Sequence, residues 1–300
     1  MNNQRVDTRR LRYLLELSRH GSMRAVADVL GTTTSTVSQQ IAALAREAGA
    51  PLLEPDGRRV RLTPAGQRLA DHAVTILAAV EAARADLDPH AAPAGTVRVG
   101  GFATAVRRSV LPAMADLAGN HPRVRVVVSE YEPAEALAAL LADDLDVALV
   151  YDYDLAPATT DPALAVSPLW TTRWSLAVPA AGAHRVRGEG TLAVFDAFRD
   201  HDWIGNSRNT ADEDVVRTLA SMAGFTPRFT HRADSLDLVE DLITARGRSV
   251  GLLPRGRATP PGVALLPLPD PAIRQRAFAC TRRGRAAWPP LALVLDLLAR

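Results

Sequence analysis

Lysine is absent from these 300 residues: all 35 cationic side chains are arginine. Beside an alanine-rich background this reads as the coding bias of a GC-rich genome, so a single Arg carries little functional weight. The one cysteine, Cys280, excludes an internal disulfide, and no Cys/His group has zinc-ligand spacing. Aromatic residues make up 5% of the chain, and no apolar run reaches the roughly 18 residues of a membrane-spanning helix, so no membrane partner is expected. The first ten residues, MNNQRVDTRR, have no apolar core; a secretory signal peptide is not expected, and the chain reads as cytoplasmic. Catalytic signatures are missing as well. There is no P-loop, no dinucleotide-binding glycine fingerprint and no H-E-x-x-H, and Gly205-Asn206-Ser207-Arg208-Asn209 lacks the final Gly of a nucleophile elbow. The seven His are scattered, Cys280 reads as a buried inert thiol, and Asp143, Asp144 and Asp146 read as a solvated helix end. The expectation is a protein that is not an enzyme and holds no cofactor or metal.

What is present is a charge asymmetry. Residues 1–68 hold 11 Arg against 6 acids, whereas the remainder holds 24 Arg against 27 acids. A basic head on a slightly acidic body suggests a nucleic-acid-binding module joined to a larger domain, and the length favours two domains.

Within the head, Leu11, Leu14, Leu15 and Leu17 recur at helical spacing. Ser22 is placed to cap a second helix, and Gly31 to turn it toward a third carrying Val37, Ile41 and Leu44 inward. Ala27, Gly31 and Val37 have the spacing of a helix-turn-helix: a small residue where the helices cross, a residue tolerant of positive φ in the turn, and an apolar plug. The outward side offers Thr33, Thr34, Ser35, Thr36, Ser38, Gln39 and Gln40, short groups suited to phosphates and base edges. A plain three-helix packing unit with a polar face is the alternative. Two short apolar strands flank Pro55-Asp56-Gly57, a hairpin signal, and make a wing bearing Arg58, Arg59 and Arg61.

Thr63-Pro64 opens a long helix in which Leu69, Ala73, Ile76, Val80, Ala83 and Leu87 form a heptad seam. The seam suits a two-chain coiled coil, or else one amphipathic helix lying on its own domain. From Gly95 the pattern alternates strands (Val97 and Val99; Val124, Val126 and Val128; 147–150; 174–178; 202–205; 226–230; 250–253; 263–266; 275–280) with helices (around 110–117; 133–142; 211–223; 235–245; 287–299). That alternation predicts parallel α/β sheets.

Residues 6–63 resemble the DNA-binding domain of LysR-type transcriptional regulators, above all in LRYLLELSRHGS, VSQQI, GAPLLE and GRRVRLTPAG. The chain departs from the family pattern at Ser35, Leu53 and Pro55. The body resembles the family's effector domain in GTVRVGGFATA, VLPAMADLAGNHPRVRVVVSEYEP, DDLDVALV, AGFTPRF and SVGLLPR, with a departure at Arg248 and Ser249. The resemblance implies an α/β protein in three parts. These are a winged helix-turn-helix (1–63), a linker and dimerisation helix (64–90), and a periplasmic-binding-protein-like effector domain (91–300) with subdomain I at about 95–168 and 269–300 and subdomain II at about 169–268. It implies as partners double-stranded DNA, a small-molecule effector, further copies of the chain in a homodimer or homotetramer, and RNA polymerase. A small-molecule binding protein whose head serves assembly is the competing reading, and an enzyme with an appended DNA-binding head a distant third.

In such a domain the effector sits between subdomains, at carboxyl ends of strands. The first strand-to-helix junction, Gly100-Gly101-Phe102-Ala103-Thr104, offers Phe102, Ala103 and Thr104 with backbone N–H groups that favour an anion. By resemblance Tyr131, Glu132, Tyr151, Asn206, Arg208 and His231 complete the lining. Arg208 suits a ligand carboxylate and Glu132 repels one, which leaves a plain acid and an amino-acid-like ligand both open. The competing account of these groups is ordinary loop polarity.

Overall fold

The computed structural model describes residues 6–57, 59–88, 92–159, 161–186 and 190–300. Three helices, α1 (Thr8–His20), α2 (Met23–Leu30) and α3 (Thr34–Ala48), close around Leu11, Leu14, Val26, Val37, Ile41 and Leu44. Each starts on a side-chain cap. Asp7 accepts from the Arg9 N–H, Ser22 from that of Ala25 and Thr33 from that of Thr36, each worth about 1 kcal/mol. Gly31 takes the left-handed conformation (φ 61°) that ends α2, and the Thr32 N–H then bonds the Ala27 carbonyl at 2.9 Å. The wing is the antiparallel pair β1 (Leu53–Asp56) and β2 (Arg59–Leu62).

Helix α4 (Pro64–Leu87) begins with the Thr63 hydroxyl accepting from the Gly66 N–H at 3.0 Å. Its expected seam divides between two environments. Leu69 and the buried Ala73 pack on the head core, Val80 is half-buried, and Ile76, Ala83 and Leu87 are exposed. Thr75 donates to the Arg283 carbonyl (3.0 Å) and Asp71 pairs with Arg282 (2.8 Å), so the same helix also rests on the body.

The body continues with β3 (Gly95–Gly101) and a helical run made of α5 (Ala103–Ala105), a π-helical turn (Val106–Val110) and α6 (Leu111–Asn120). Then come β4 (Val124–Glu130), α7 (Pro133–Leu141), β5 (Val147–Tyr153), β6 (Leu164–Pro179) and α8 (Thr191–Ala197). The chain closes with β7 (Asp202–Gly205), α9 (Ala211–Met222), β8 (Arg228–Arg232), α10 (Leu236–Arg246), β9 (Ser249–Pro254), β10 (Val263–Pro267), β11 (Arg274–Arg282) and α11 (Pro289–Leu298). The strands run in the order β4-β3-β5-β11-β6-β9-β7-β8, with β10 also on β6. Parallel pairing joins β3 to β4 and β5, and β7 to β8 and β9. The expectation of parallel sheets holds for these two triplets and fails between them: β6 and β11 cross antiparallel, and β6 pairs with β11 over residues 164–173 before joining β9 from Trp174. Buried Val97, Val99, Leu149, Trp203 and Leu252 belong to one apolar core that runs through both triplets.

Of the aspartates read as a solvated helix end, Asp144 is exposed, and the other two correct that reading. Asp143 and Asp146 are buried. Asp146 accepts from Arg98 and from Arg285 (3.0 Å), and Asp143 accepts from Arg19 at 2.6 Å. Burial would raise the Asp146 carboxyl, but the Arg98 hydrogen bonds and charge, with Arg285, hold it below its ordinary value. Arg19 closes α1, so this ion pair ties the head to the body. Among the described residues no helix is long and apolar enough to cross a membrane.

Candidate functional site

The head presents one polar face. Val37, Ile41 and Leu44 fix the inward side of α3, and that choice turns Thr33, Thr34, Ser35, Ser38 and Gln39 outward, all exposed, with Thr36 half-buried. The Thr33 hydroxyl bonds those of Ser35 (2.8 Å) and Thr36 (2.9 Å), which orders the start of the helix. Gln40, expected on the same face, is instead half-buried: the next step round the helix turns it toward α1, where it accepts from Arg10 at 3.2 Å. On the wing, Arg61 pairs with Glu54 across the hairpin (2.8 Å) while most of its side chain stays in solvent. Arg58 and the side chain of Arg59 lie outside the described residues.

The body holds a cleft of about 430 Å3 between the two parallel triplets. Gly101 brings its floor together: a Cβ there would stand 2.5 Å from that of Leu149 on the neighbouring strand, so the glycine permits β3 and β5 to pack closely ahead of Phe102. Phe102, Ala103, Thr104, Glu132, Tyr151, Asn206 and Arg208 all line the cleft, as the sequence led us to expect. Tyr131 and His231 do not line it. Tyr131 lies between two lining residues, Glu130 and Glu132, and strand-like alternation sends its ring to the other side, toward Leu145. His231 sits opposite Ile204 within β8, where the register shifts, and the chain reaches the cleft two residues later at Ala233. Sequence reasoning missed Arg107, Glu130, Trp174, Asp212, Asp234, Arg257 and Gln275. For Asp212 a signal existed, since it opens α9 directly after the Asn206–Arg208 segment.

An aromatic row forms the base. Phe102 meets Tyr151 edge-on at 4.7 Å, Tyr151 meets Tyr153 at 6.1 Å, and Tyr153 meets Trp174 at 5.7 Å. Polar groups stand on this row. The Tyr153 hydroxyl donates to Asp212 at 2.6 Å, and the Asn206 amide donates to the same carboxylate at 3.2 Å. Asn209 donates to Glu132 at 2.6 Å, and the Tyr151 hydroxyl donates to it at 3.4 Å. Burial and the nearby Asp234 charge push the Glu132 carboxyl up to about 7, and burial pushes that of Asp212 up to about 6.

Arg208 spans the cleft. It bonds Asp234 (3.2 Å) on its own side and Glu135 (3.2 Å) on the other, and lies 3.6 Å from Glu130 and 3.8 Å from Glu132. Four protein carboxylates therefore occupy the guanidinium expected to receive a ligand carboxylate. Arg257 is taken up in the same way by Asp237 and Glu240.

A polar helix face with a wing, joined by a long helix to a cleft between two α/β halves, can be placed by comparison. Residues 8–67 match the family model described as the lysR-family bacterial regulatory helix-turn-helix protein, and residues 90–300 match that of the LysR substrate binding domain. The chain belongs to the LysR family. Among its relatives in this family, GltC of Bacillus subtilis (strain 168), described as a transcriptional dual regulator, is 27% identical over 290 residues, covering 95% of this chain and 93% of that protein. A probable hydrogen peroxide-inducible genes activator of Mycobacterium avium is 32% identical over 284 residues, covering 92% and 84%. Full-length OxyR from Pseudomonas aeruginosa shares the fold with a TM-score of 0.73 at 16% identity, covering 98% of each chain. Full-length CbnR in complex with its target DNA superposes with a TM-score of 0.54 at 21% identity, covering 97% of this chain and 98% of CbnR.

Proposed function

We propose that this LysR-type regulator is a cytoplasmic, ligand-controlled DNA-binding protein. Its α3 helices enter major grooves, and the cleft between the α/β halves receives a small-molecule effector. The observation that carries this is the exposed row Thr34, Ser35, Ser38 and Gln39 on the helix whose inward face is fully committed to the head core. Groups of this kind read base edges when a helix lies in the major groove, and the wing arginines then meet phosphate or the minor groove. Two copies of the chain, joined through the exposed Ile76, Ala83 and Leu87 of α4, would set half-sites about 10 base pairs or a multiple apart. CbnR was solved with its target DNA, which supports the same use of the head here. RNA polymerase is the further partner through which an effector-dependent regulator acts.

Two relatives are named for peroxide and OxyR, but a peroxide-sensing thiol is not part of this proposal. Cys280 is buried on β11, and burial pushes its thiol up to about 11, so it offers no thiolate for oxidation. The test is a gel shift with the DNA flanking the protein's own gene, repeated after a thermal-shift screen has supplied a ligand. A ligand bound only by the native state and present at 100 times its dissociation constant adds about 2.7 kcal/mol, well within reach of such a screen. A specific complex whose affinity or footprint changes with the ligand is expected. A head that binds no DNA would leave a solute-binding protein with an assembly module.

A further inference from the structure

Helix α7 begins at the cleft and ends at the head. Its N-cap, Glu132, lines the cleft and accepts from Asn209 at 2.6 Å, and Glu135 in its first turn accepts from Arg208 at 3.2 Å. Both donors belong to the segment between β7 and α9, on the far side of the cleft. At the other end the Asp143 and Asp144 N–H groups close the last turn on the Leu140 (3.2 Å) and Ala139 (2.9 Å) carbonyls. Asp143, two residues past the helix, accepts from Arg19 of α1 at 2.6 Å. The helix between these grips has nine residues, so it spans about 13 Å. It rests on the sheet by apolar contact, with Ala136 and Leu140 buried among Leu145, Ala148 and Val150. β11 makes the same journey, from Gln275 in the cleft to Arg282 on Asp71 of α4, but it is paired with β5 on one edge and β6 on the other. A strand held in that way slides only by breaking its ladder. A helix seated on apolar side chains shifts by about 1–2 Å as one piece.

Solvation decides which carboxylate gives up Arg208 to a ligand. Glu135 and Asp234 are the two that hydrogen-bond it, and their side chains are 38% and 14% exposed. Water compensates the more exposed carboxylate better, so a ligand acid group that takes Arg208 frees Glu135 first. The far side of the cleft then holds α7 through Asn209 alone. At the head end, the 2.6 Å bond from Arg19 to Asp143 is short and charge-assisted, and a displacement of about 1 Å takes it out of hydrogen-bonding range. We infer that α7 is the lever through which a ligand in the cleft acts on the head: release of Glu135 from Arg208 shifts α7, loosens the Arg19–Asp143 bond and frees the head, and α3 with it, from its fixed seat on the body. This rests on the cleft being the effector site and on α3 being the DNA reader.

The lever can be worked without a ligand. Hydrogen exchange, read by mass spectrometry on the full-length protein without DNA, follows residues 16–21 at the end of α1 in the wild type, Glu135→Gln, Asp143→Asn and the double variant. Glu135 and Asp143 stand at opposite ends of α7 and share no printed partner, so without a lever their effects are independent. Expected is exchange at 16–21 about fivefold or more faster in Glu135→Gln, and no further effect of that substitution once Asp143→Asn has opened the joint. Arg208→Gln removes the other half of the same bond and should reproduce the response. Thr75→Val breaks a different head-to-body bond and should leave the response to Glu135→Gln intact. Exchange altered only around 132–138, or an effect at 16–21 that persists in full beside Asp143→Asn, overturns the lever. A response absent in Arg208→Gln, or lost in Thr75→Val, does so too. Operator binding separates this failure from that of the proposed function. Coupled exchange in a protein that binds no DNA overturns the function and leaves the lever, and specific DNA binding with uncoupled exchange does the reverse.

Discussion

Replacing Glu132 by Gln should stabilise the ligand-free protein, and by an amount that grows with pH. The amide keeps the shape of the carboxyl group and can still accept from Asn209 and Tyr151, but it cannot ionise. In the folded cleft the carboxyl is pushed from an ordinary value near 4.5 to about 7 by burial and the Asp234 charge. Its raised value means that the folded state holds a proton the unfolded chain gives up. The stability this contributes is intact below about pH 4.5 and is lost as pH rises toward 7. At 1.36 kcal/mol per pH unit the full penalty is about 3 kcal/mol, of which about 2 falls between pH 5 and pH 8. Urea denaturation followed by tryptophan fluorescence at pH 5, 6, 7 and 8 measures it for both proteins. The variant should gain on the wild type by about 2 kcal/mol across that range. Asp212, pushed up to about 6, is present in both proteins; its charge is among those that raise Glu132, so the amide also relieves Asp212 and shifts the comparison in the same direction. A difference that does not change with pH would refute the claim that Glu132 is ionised at a cost in the empty cleft.

Three further outcomes follow from named contacts. Arg61→Ala should weaken binding to all DNA sequences alike and lower the slope of log affinity against log salt by about one; an unchanged slope in anisotropy titrations would remove Arg61 from the phosphate contacts. Ile76→Asp, on the exposed part of α4, should abolish the dimer in analytical ultracentrifugation and operator binding with it, and a dimeric variant that still binds would show that α4 serves only its own chain. Asp143→Asn keeps the left-handed backbone at that position (φ 64°), which Asn tolerates, and removes the charge that receives Arg19. Glu16 stays beside Arg19 at 2.9 Å, so the loss should be about 2 kcal/mol rather than that of a fully orphaned ion; a loss below about 0.5 kcal/mol in denaturation would mean the pair does not hold head to body.

The head was legible because its rules are local. A cap, a turn glycine and an apolar stripe lie within a few residues of one another, and Ser22, Gly31 and the Val37–Ile41–Leu44 face take up their expected roles. The second half of β6 was also legible. Its first half was not, because Pro168 and a polar stretch disguise a strand; a bulge in β6, where Leu169 is the extra residue between Pro168 and Trp170 opposite Phe278 and Ala277, accommodates the proline. The cleft was legible in part. Residues directly after strand ends could be placed, but Trp174 lies where β6 passes from one triplet to the other, and Arg257 arrives from a distant loop. The engagement of Arg208 could not be foreseen either, since its carboxylates come from segments about 26 and 73 residues away. Those partners turned an expected anion clamp into a clasp across the cleft. Asp143 and Asp146 misled for a similar reason: their arginines, 19, 98 and 285, approach from three distant parts of the chain.

The central claim is that α3 reads DNA, and equilibrium binding tests it most directly. The full-length protein is titrated into a labelled duplex from upstream of its own gene, beside a scrambled duplex, at fixed salt, with Ser38→Ala and Gln39→Ala as the variants. The account predicts saturable binding at least a thousandfold tighter to the natural duplex than to the scrambled one. Each variant should lose about 1–3 kcal/mol of that preference while keeping its affinity for the scrambled duplex. Equal affinity of the wild-type protein for both duplexes, or a preference untouched by either substitution, would contradict it.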